Sequence, residues 1–196
     1  MNISIKDIYK FKKELNRFKN KKVLLWDPAP YPVHVEIAAA IGTALALRGC
    51  AVEQILCDGI QIGCVARSIN CPQAYQRWSS DCSKCFEGTA NASQEFALPT
   101  SFIGDILSID DIQRFRALSQ DINLKYIVSF IYKGIPIGLH AQSSFNRYYK
   151  GCTEDLDDNI LRLYFYSCLA VAESAIRKID AFKPDVLFLT HAIYNT

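Results

Sequence analysis

The sequence predicts an α/β domain of Rossmann type, a three-layer arrangement in which helices cover both faces of a mostly parallel sheet. Two short apolar runs, residues 22–26 and 185–189, have the composition of buried parallel strands. A helical pattern over residues 33–48 and a strand pattern over 52–56 follow the first run, and together they have the size of a βαβ unit. Strands that alternate with helices favour a parallel sheet between two helical layers.

The remaining pattern fits one domain, residues 1–196, with an irregular cysteine-containing insertion at 57–100. Residues 4–19 have the apolar spacing of an amphipathic helix. Ser108 is placed to cap a helix that runs to about residue 120, and Thr153 to cap a long helix in the middle of the core. Residues 134–138, with two glycines and a proline, predict a turn or loop.

Charge and hydropathy limit the partners and the compartment. The net charge of +2 offers no electrostatic argument for a nucleic-acid partner. Residues 1–22 nevertheless carry eight basic and two acidic side chains, a net +6. We interpret this as a solvated helix face, with peripheral contact to an anionic membrane as the alternative. The sequence contains no membrane-spanning apolar run and no signal peptide, which predicts a cytoplasmic protein.

The insertion at 57–100 holds five of the eight cysteines. Cys82 and Cys85 form a C-x-x-C pair, a spacing that suits two ligands of a tetrahedral metal. Cys57 and Cys71 would complete a structural zinc or iron–sulfur site. Free thiols are the alternative, and a redox pair is disfavoured because the motif does not open a helix after a strand.

Ligands of open parallel sheets bind beyond the carboxyl ends of the strands. The predicted strands at 22–26 and 185–189 are both followed by polar residues, and these polar residues are expected to lie along one edge of the sheet. His34, His191 and Glu36 are the candidate general bases, because His titrates near neutral pH and a carboxylate can also accept a proton. The alternative is that the histidines only make local hydrogen bonds. The substrate-binding candidates at this edge are Asp27, Tyr31 and Tyr194.

No glycine-rich phosphate loop follows the first strand, which argues against a nucleotide-binding role for this domain. Beyond residues 134–138, the segment 143–148 offers many hydrogen-bond donors. Arg147 can hold a carboxylate or phosphate in a bidentate manner, and Tyr148 suits a sugar ring. The alternative is a helix cap at Ser143 or Ser144, with Arg147 in an internal salt bridge.

Several of these segments resemble a known family. The run from Tyr132 to Gly138 (Tyr-Lys-Gly-Ile-Pro-Ile-Gly), Ser-Ser-Phe-Asn-Arg-Tyr at 143–148, the Leu-Pro and Ile-Gly-Asp residues within 98–105, and residues 183–194 are similar to the N-terminal domain of GT-B-like glycosyltransferases of capsule or surface-polysaccharide biosynthesis.

The resemblance implies an acceptor-binding domain with a saccharide acceptor as partner. It also implies that a C-terminal or separate partner domain supplies the nucleotide-sugar site, so that this chain alone has little activity. His191 and Tyr194 would face the cleft between the two domains. No catalytic cofactor is implied, so a cysteine-ligated metal would be structural.

Two other classes compete with the transferase. One is a non-catalytic binding or regulatory α/β module stabilised by a cysteine-ligated metal or iron–sulfur site. The other is a small-molecule hydrolase that uses His34 and Glu36. The absence of a Gly-x-Ser-x-Gly motif weakens the hydrolase interpretation.

Overall fold

The computed structural model describes residues 18–28, 31–64, 78–150 and 157–190. Within them, four parallel strands form one sheet with the order β3-β2-β1-β4. The strands are β1 (Lys22–Asp27), β2 (Ala51–Leu56), β3 (Thr100–Phe102) and β4 (Val186–Phe188). The predicted Rossmann-like α/β class is therefore confirmed.

Six α-helices and one 3₁₀ helix surround this sheet in the described part of the chain. The α-helices are α1 (Pro32–Ala46), α2 (Trp78–Gln94), α3 (Ile103–Ile106), α4 (Ile109–Asp121), α5 (Ile137–Tyr148) and α6 (Asp158–Phe182), and the 3₁₀ helix is Leu124–Ser129. The helices α1 and α2 pack together on one face, and α6 packs with α3, α4 and α5 on the other.

The central strand β1 carries the core on both of its faces. Val23 and Leu25 pack with Ala38 of α1, whereas Leu24 and Trp26 belong to the larger cluster around α6. This alternation follows from the pleat, which points successive side chains to opposite faces. Gly42 lets α1 approach closely, because a Cβ there would lie 2.6 Å from Leu25 Cδ1.

Helix α6 supplies the crossover to β4 and contributes many of the buried residues of the larger core cluster. It ends at Phe182, where Lys183 adopts a left-handed conformation (φ 52°) before Pro184. The prediction that the last strand is buried is wrong. Val186 and Leu187 are 49% and 42% exposed, because β4 is an edge strand that pairs only with β1 among the described strands.

Three local predictions differ from the structure. The long helix is capped by Asp157, whose side chain accepts from Asn159 N at 2.8 Å, and not by Thr153, which lies outside the described residues. The predicted loop at 134–138 already contains the start of α5. Segment 57–100, expected to be mostly irregular, holds the 17-residue helix α2, whose serine-rich sequence has little helical signal.

The cap predicted at Ser108 is confirmed, since its Oγ accepts from Asp111 N at 3.1 Å. Most of the predicted amphipathic helix, up to residue 17, lies outside the described residues. Among the described helices, none combines the length and apolar character needed to cross a membrane.

Candidate functional site

The carboxyl ends of β1 and β4 meet at one edge of the sheet. Parallel pairing sets Leu25 opposite Phe188, so the residues just beyond both strands are neighbours. Thr190 Oγ1 donates a hydrogen bond to Asp27 Oδ1 at 2.6 Å. The two segments expected to form a common edge therefore do so.

Asp27 is the buried acid of this edge, with only 1% of its surface exposed. Burial raises the pKa of its carboxyl, although hydrogen bonds from Thr190 and Gln54 and the nearby His34 act in the opposite direction. Its second oxygen, Oδ2, is buried without a hydrogen-bond partner in the part of the chain that the structure describes.

A chain of buried polar groups supports Asp27 from β2. Ser93 Oγ donates to Gln54 Oε1 at 3.0 Å and lies 2.8 Å from Thr100 Oγ1. The Gln54 amide also reaches the Val35 carbonyl oxygen, with Nε2 at 3.5 Å. Gln54 therefore connects the start of α1 with α2 and β3 directly beside Asp27.

The loop after β2, residues 57–64, is fixed at three places. Gln61 Nε2 donates to the Pro28 carbonyl oxygen at 3.0 Å, Gly63 N donates to Ser167 Oγ at 2.8 Å, and Gly104 N donates to Asp58 Oδ1 at 3.3 Å. The loop is thereby bonded to the segment after β1, to α6 and to α3. Gln61 is itself 1% exposed, and its Oε1 has no partner among the described residues.

Helix α1 begins at the same edge. Tyr31 occupies the cap position without a side-chain cap, and Pro32 opens the helix, so its first N–H groups are directed toward this edge. The rings of Tyr31 and His34 stand edge to face with centroids 5.3 Å apart. Both are half-buried, while Glu36 is exposed.

The structure brings Asp27, Tyr31 and His34 together but places Arg147 and Tyr148 elsewhere. These two residues end α5, which packs on α6, on the sheet face opposite α1. The ring of Tyr148 lies 6.4 Å from that of Tyr164, and burial raises the pKa of its hydroxyl. His191 and Tyr194 lie outside the described residues, immediately beyond Thr190.

The predicted metal site is only partly within the described chain. Cys82 and Cys85 lie in α2, where Cys82 borders a pocket of about 400 Å³ together with Asp58 and Glu87. Cys57 follows β2, and burial raises the pKa of its thiol to about 11, which disfavours the thiolate that a metal requires. Among the described residues, no three His, Cys, Asp or Glu side chains are grouped for metal binding, and no disulfide forms. Cys71 lies outside them, so the site stays a prediction.

Comparison with known proteins finds likeness in structure. No protein-family model and no curated protein matches the sequence. The fold is similar to that of a cyclodipeptide synthase from Fluoribacter dumoffii, with a TM-score of 0.52 and 12% identity over 89% of this chain and 78% of that one. A cyclodipeptide synthase from Bacillus thermoamylovorans matches with TM-score 0.45 and 10% identity over 90% and 78% of the two chains. Cyclo(L-leucyl-L-phenylalanyl) synthase matches with TM-score 0.45 and 9% identity over 92% and 81%.

The GT-B glycosyltransferase prediction is therefore wrong, since the fold is similar to that of the Fluoribacter cyclodipeptide synthase. The expected role in capsule polysaccharide biosynthesis is wrong with it. The expected partners were a saccharide acceptor and a nucleotide-sugar, and no nucleic acid was expected. This prediction is wrong as well. In the described part of the chain, the segments behind that prediction are a turn, pieces of helix and short strands, which many parallel α/β proteins share.

Sequence reasoning missed three polar residues of this edge: Gln54, Gln61 and Thr190. A signal existed for Gln54, an amide inside a strand whose other inward positions are apolar. A buried polar side chain needs a partner, so its presence in such a strand indicates a polar neighbour.

Proposed function

We propose that this chain joins two amino acids into a cyclic dipeptide and takes both from aminoacyl-tRNA. The observation that carries the proposal is the fold likeness to the Fluoribacter enzyme, which extends over most of both chains. The position of the candidate site supports it, since open parallel sheets bind their ligands beyond the carboxyl ends of the strands.

The chemistry of the reaction fits the groups at this edge. The amine of one aminoacyl group attacks the ester carbonyl of the other, a C–N bond forms, and the ester C–O bond breaks. A second attack of the same kind closes the ring and releases the other tRNA. Each attack moves one proton from the amine to the leaving ribose oxygen. Asp27 and His34 lie close together and can carry that proton.

The proposed tRNA substrate is a nucleic acid, for which the net charge of the chain gave no electrostatic argument. The value of +2 averages over the whole chain, whereas residues 1–22 alone carry +6. Binding to a phosphate backbone depends on locally clustered cations, so a nearly neutral chain does not exclude it.

The test is to incubate the purified chain with a mixture of charged tRNAs and to detect cyclic dipeptides by mass spectrometry. We expect products that depend on charged tRNA and disappear when free amino acids and ATP replace it. His34→Ala should lower the rate by about 100-fold, in the range of a lost acid–base group. His140→Ala is the matched control, since His140 is also a half-buried histidine on a helix but lies in α5, away from the edge.

Absence of any cyclic dipeptide from folded protein, with every amino acid represented on tRNA, would contradict the proposal. Circular dichroism provides the check of folding. Equal rates for His34→Ala, His140→Ala and the unaltered chain would leave the reaction in place but remove His34 from it.

A further inference from the structure

We propose that segment 4–17, for which the sequence predicts an amphipathic helix, packs along the exposed apolar face of α1. The contact lies within one chain and does not depend on the proposed reaction. It makes this segment part of the folded domain and leaves its basic side chains in solvent.

The outer face of α1 is apolar although it lies at the surface. Val33, Ile37 and Ile41 follow one another at four-residue spacing and are 55%, 49% and 37% exposed. They lie opposite the buried side of the helix, and Glu36 is the single Asp, Glu, Lys or Arg residue that α1 contains. A surface helix normally carries polar residues on its outer face, and a helix that is apolar all round is normally buried. The exposed stripe of α1 therefore indicates a further element that covers it.

The chain before β1 lies beside the last turn of α1. Asn20 N donates to the Gly49 carbonyl oxygen at 2.9 Å, and Cys50 Sγ donates to the Phe18 carbonyl oxygen at 3.1 Å. Gly49 and Cys50 follow α1, which ends at Ala46. A segment that immediately precedes Phe18 is thus within reach of the outer face of α1.

The length of the segment matches that of α1. Residues 4–17 in helical form span about 21 Å, and the 15 residues of α1 span about 22 Å. The apolar residues of the segment recur every three or four positions, so they share one helical face. They are Ile5, Ile8, Phe11 and Leu15. The segment therefore offers an apolar stripe long enough to cover the one on α1.

Four basic residues of the segment fall on its other side. They are Lys6, Lys10, Lys13 and Arg17. At about 100° per residue their common line lies opposite Phe11 and Leu15. Packing the apolar face on α1 thus buries two apolar stripes and keeps these charges in water. The two stripes are joined by a short connection, and the resulting high effective concentration favours this occupant over a second copy of the chain.

Photo-cross-linking in the full chain tests the contact. Ile37 is replaced by p-benzoyl-L-phenylalanine, and the cross-linked peptides are identified by mass spectrometry after irradiation. We expect cross-links to residues 4–17, in a yield at least about tenfold above that from the same replacement at Ile109, as for a contact held at high effective concentration. Ile109 is 73% exposed but lies on α4, on the other side of the sheet. A mixture of isotope-labelled and unlabelled chains separates cross-links within a chain from those between chains.

A pair of variants in the segment provides the matched control. Phe11→Asp places a charge on the apolar face and should remove most of the cross-link. Lys13→Asp introduces the same acid on the basic side and should keep it. Circular dichroism checks the folding of both variants. If Phe11→Asp does not fold, the location of the cross-link in the chain with an unaltered segment decides the question alone.

Several results would overturn the proposal. Cross-links found only between chains would assign the face to a second copy. A yield at Ile37 no higher than at Ile109, cross-links only to other parts of the chain, or an undiminished cross-link in folded Phe11→Asp would each remove segment 4–17 from this face. None of these results bears on cyclic dipeptide formation, which is measured separately.

Discussion

Two buried carboxylates on opposite faces of the sheet differ in how completely they are satisfied. Glu173 of α6 is 2% exposed and accepts from Lys133 Nζ at 2.6 Å, Tyr132 Oη at 2.9 Å and Arg177 Nε at 2.7 Å. Asp27 is equally buried and accepts hydrogen bonds from Thr190 and Gln54, but its Oδ2 has no hydrogen-bond partner among the described residues. The first carboxylate is fully paired inside the protein, and the second is not.

The pKa values shift in opposite directions as a result. Burial alone would raise the pKa of Glu173, but its three donors outweigh burial and lower it. The pKa of Asp27 is raised, because burial outweighs its partners. A fully hydrogen-bonded acid such as Glu173 stabilises the packing of the elements that donate to it, whereas an acid with a free acceptor, such as Asp27, is available to a substrate. Mutations around Glu173 should therefore cost more stability than mutations around Asp27.

The largest effect is expected at Arg177, which is shared by Glu173 and Asp111. Its NH1 lies 2.8 Å from Asp111 Oδ2. Arg177→Met should lower the free energy of unfolding by about 3 kcal/mol, because it leaves two buried carboxylates short of a cation. Urea denaturation measures the loss. Arg114→Met is the control, since Arg114 is an exposed partner of Asp111 alone and should cost less than about 1 kcal/mol. Equal losses would mean that Arg177 has no bridging role.

The next effect tests whether the loop that carries Gln61 is rigid. A Cβ on Gly63 would lie 2.5 Å from Tyr164 N and 2.7 Å from the Leu163 carbonyl oxygen. Gly63→Ala should therefore cost about 2 kcal/mol and displace the loop, since backbone atoms cannot yield as a side chain can. Gly88→Ala in α2 is the control, because only Pro32 Cγ, at 3.3 Å, lies near its added methyl group. Urea denaturation of both variants would show the difference, and equal stability would argue for a loop free to move.

The difference between the two regions also explains what was predictable. The central strand β1 and the cap at Ser108 follow from local apolar runs and from cap residue types, so both were predicted. Helix α2 was not, because its Ser, Asn and Thr side chains do not favour a helix and its stability depends on packing against α1. The exposure of β4 depends on its place in the strand order, which its own residues do not encode.

The site was predictable only where it follows a strand. Asp27 is the last residue of β1, Tyr31 and His34 follow it, and position at a strand end was enough to select them. Gln61 was not predicted, because its position at this edge depends on a hydrogen bond to the Pro28 carbonyl oxygen, 33 residues away in the sequence. The family prediction failed for a related reason, since turns and caps report local geometry and carry little information about chemistry.

A smaller effect is expected at Thr190, the described donor to Asp27 Oδ1. Thr190→Val should lower the free energy of unfolding by about 1 kcal/mol, the value of one hydrogen bond, and should raise the pKa of Asp27 further. Thr190→Ser keeps the hydroxyl and serves as the control. Carbon-13 NMR titration of the Asp27 carboxyl reports the pKa directly. An unchanged pKa in Thr190→Val would show that the 2.6 Å bond does not hold the carboxylate form.

The smallest effect, and the one with the opposite sign, is expected for Asp27→Asn. The pKa of Asp27 lies above its ordinary value of 3.8 in the folded chain, so the folded state binds a proton more readily than the unfolded state. The contribution of this group to stability is fully present below pH 3.8, and it is lost as the pH rises through the pKa of the folded state. Asparagine carries no charge at either pH, so the free energy of unfolding of the variant should rise by up to about 1 kcal/mol at pH 7 and not at pH 3.

Asp111 provides the comparison with the opposite sign. The Ser108 hydrogen bond holds the pKa of Asp111 at about 2, so Asp111→Asn should lose stability at pH 7. Unfolding measured from pH 3 to 7 separates the two signs, and a loss for Asp27→Asn at pH 7 would mean that this carboxylate is paired as fully as Glu173.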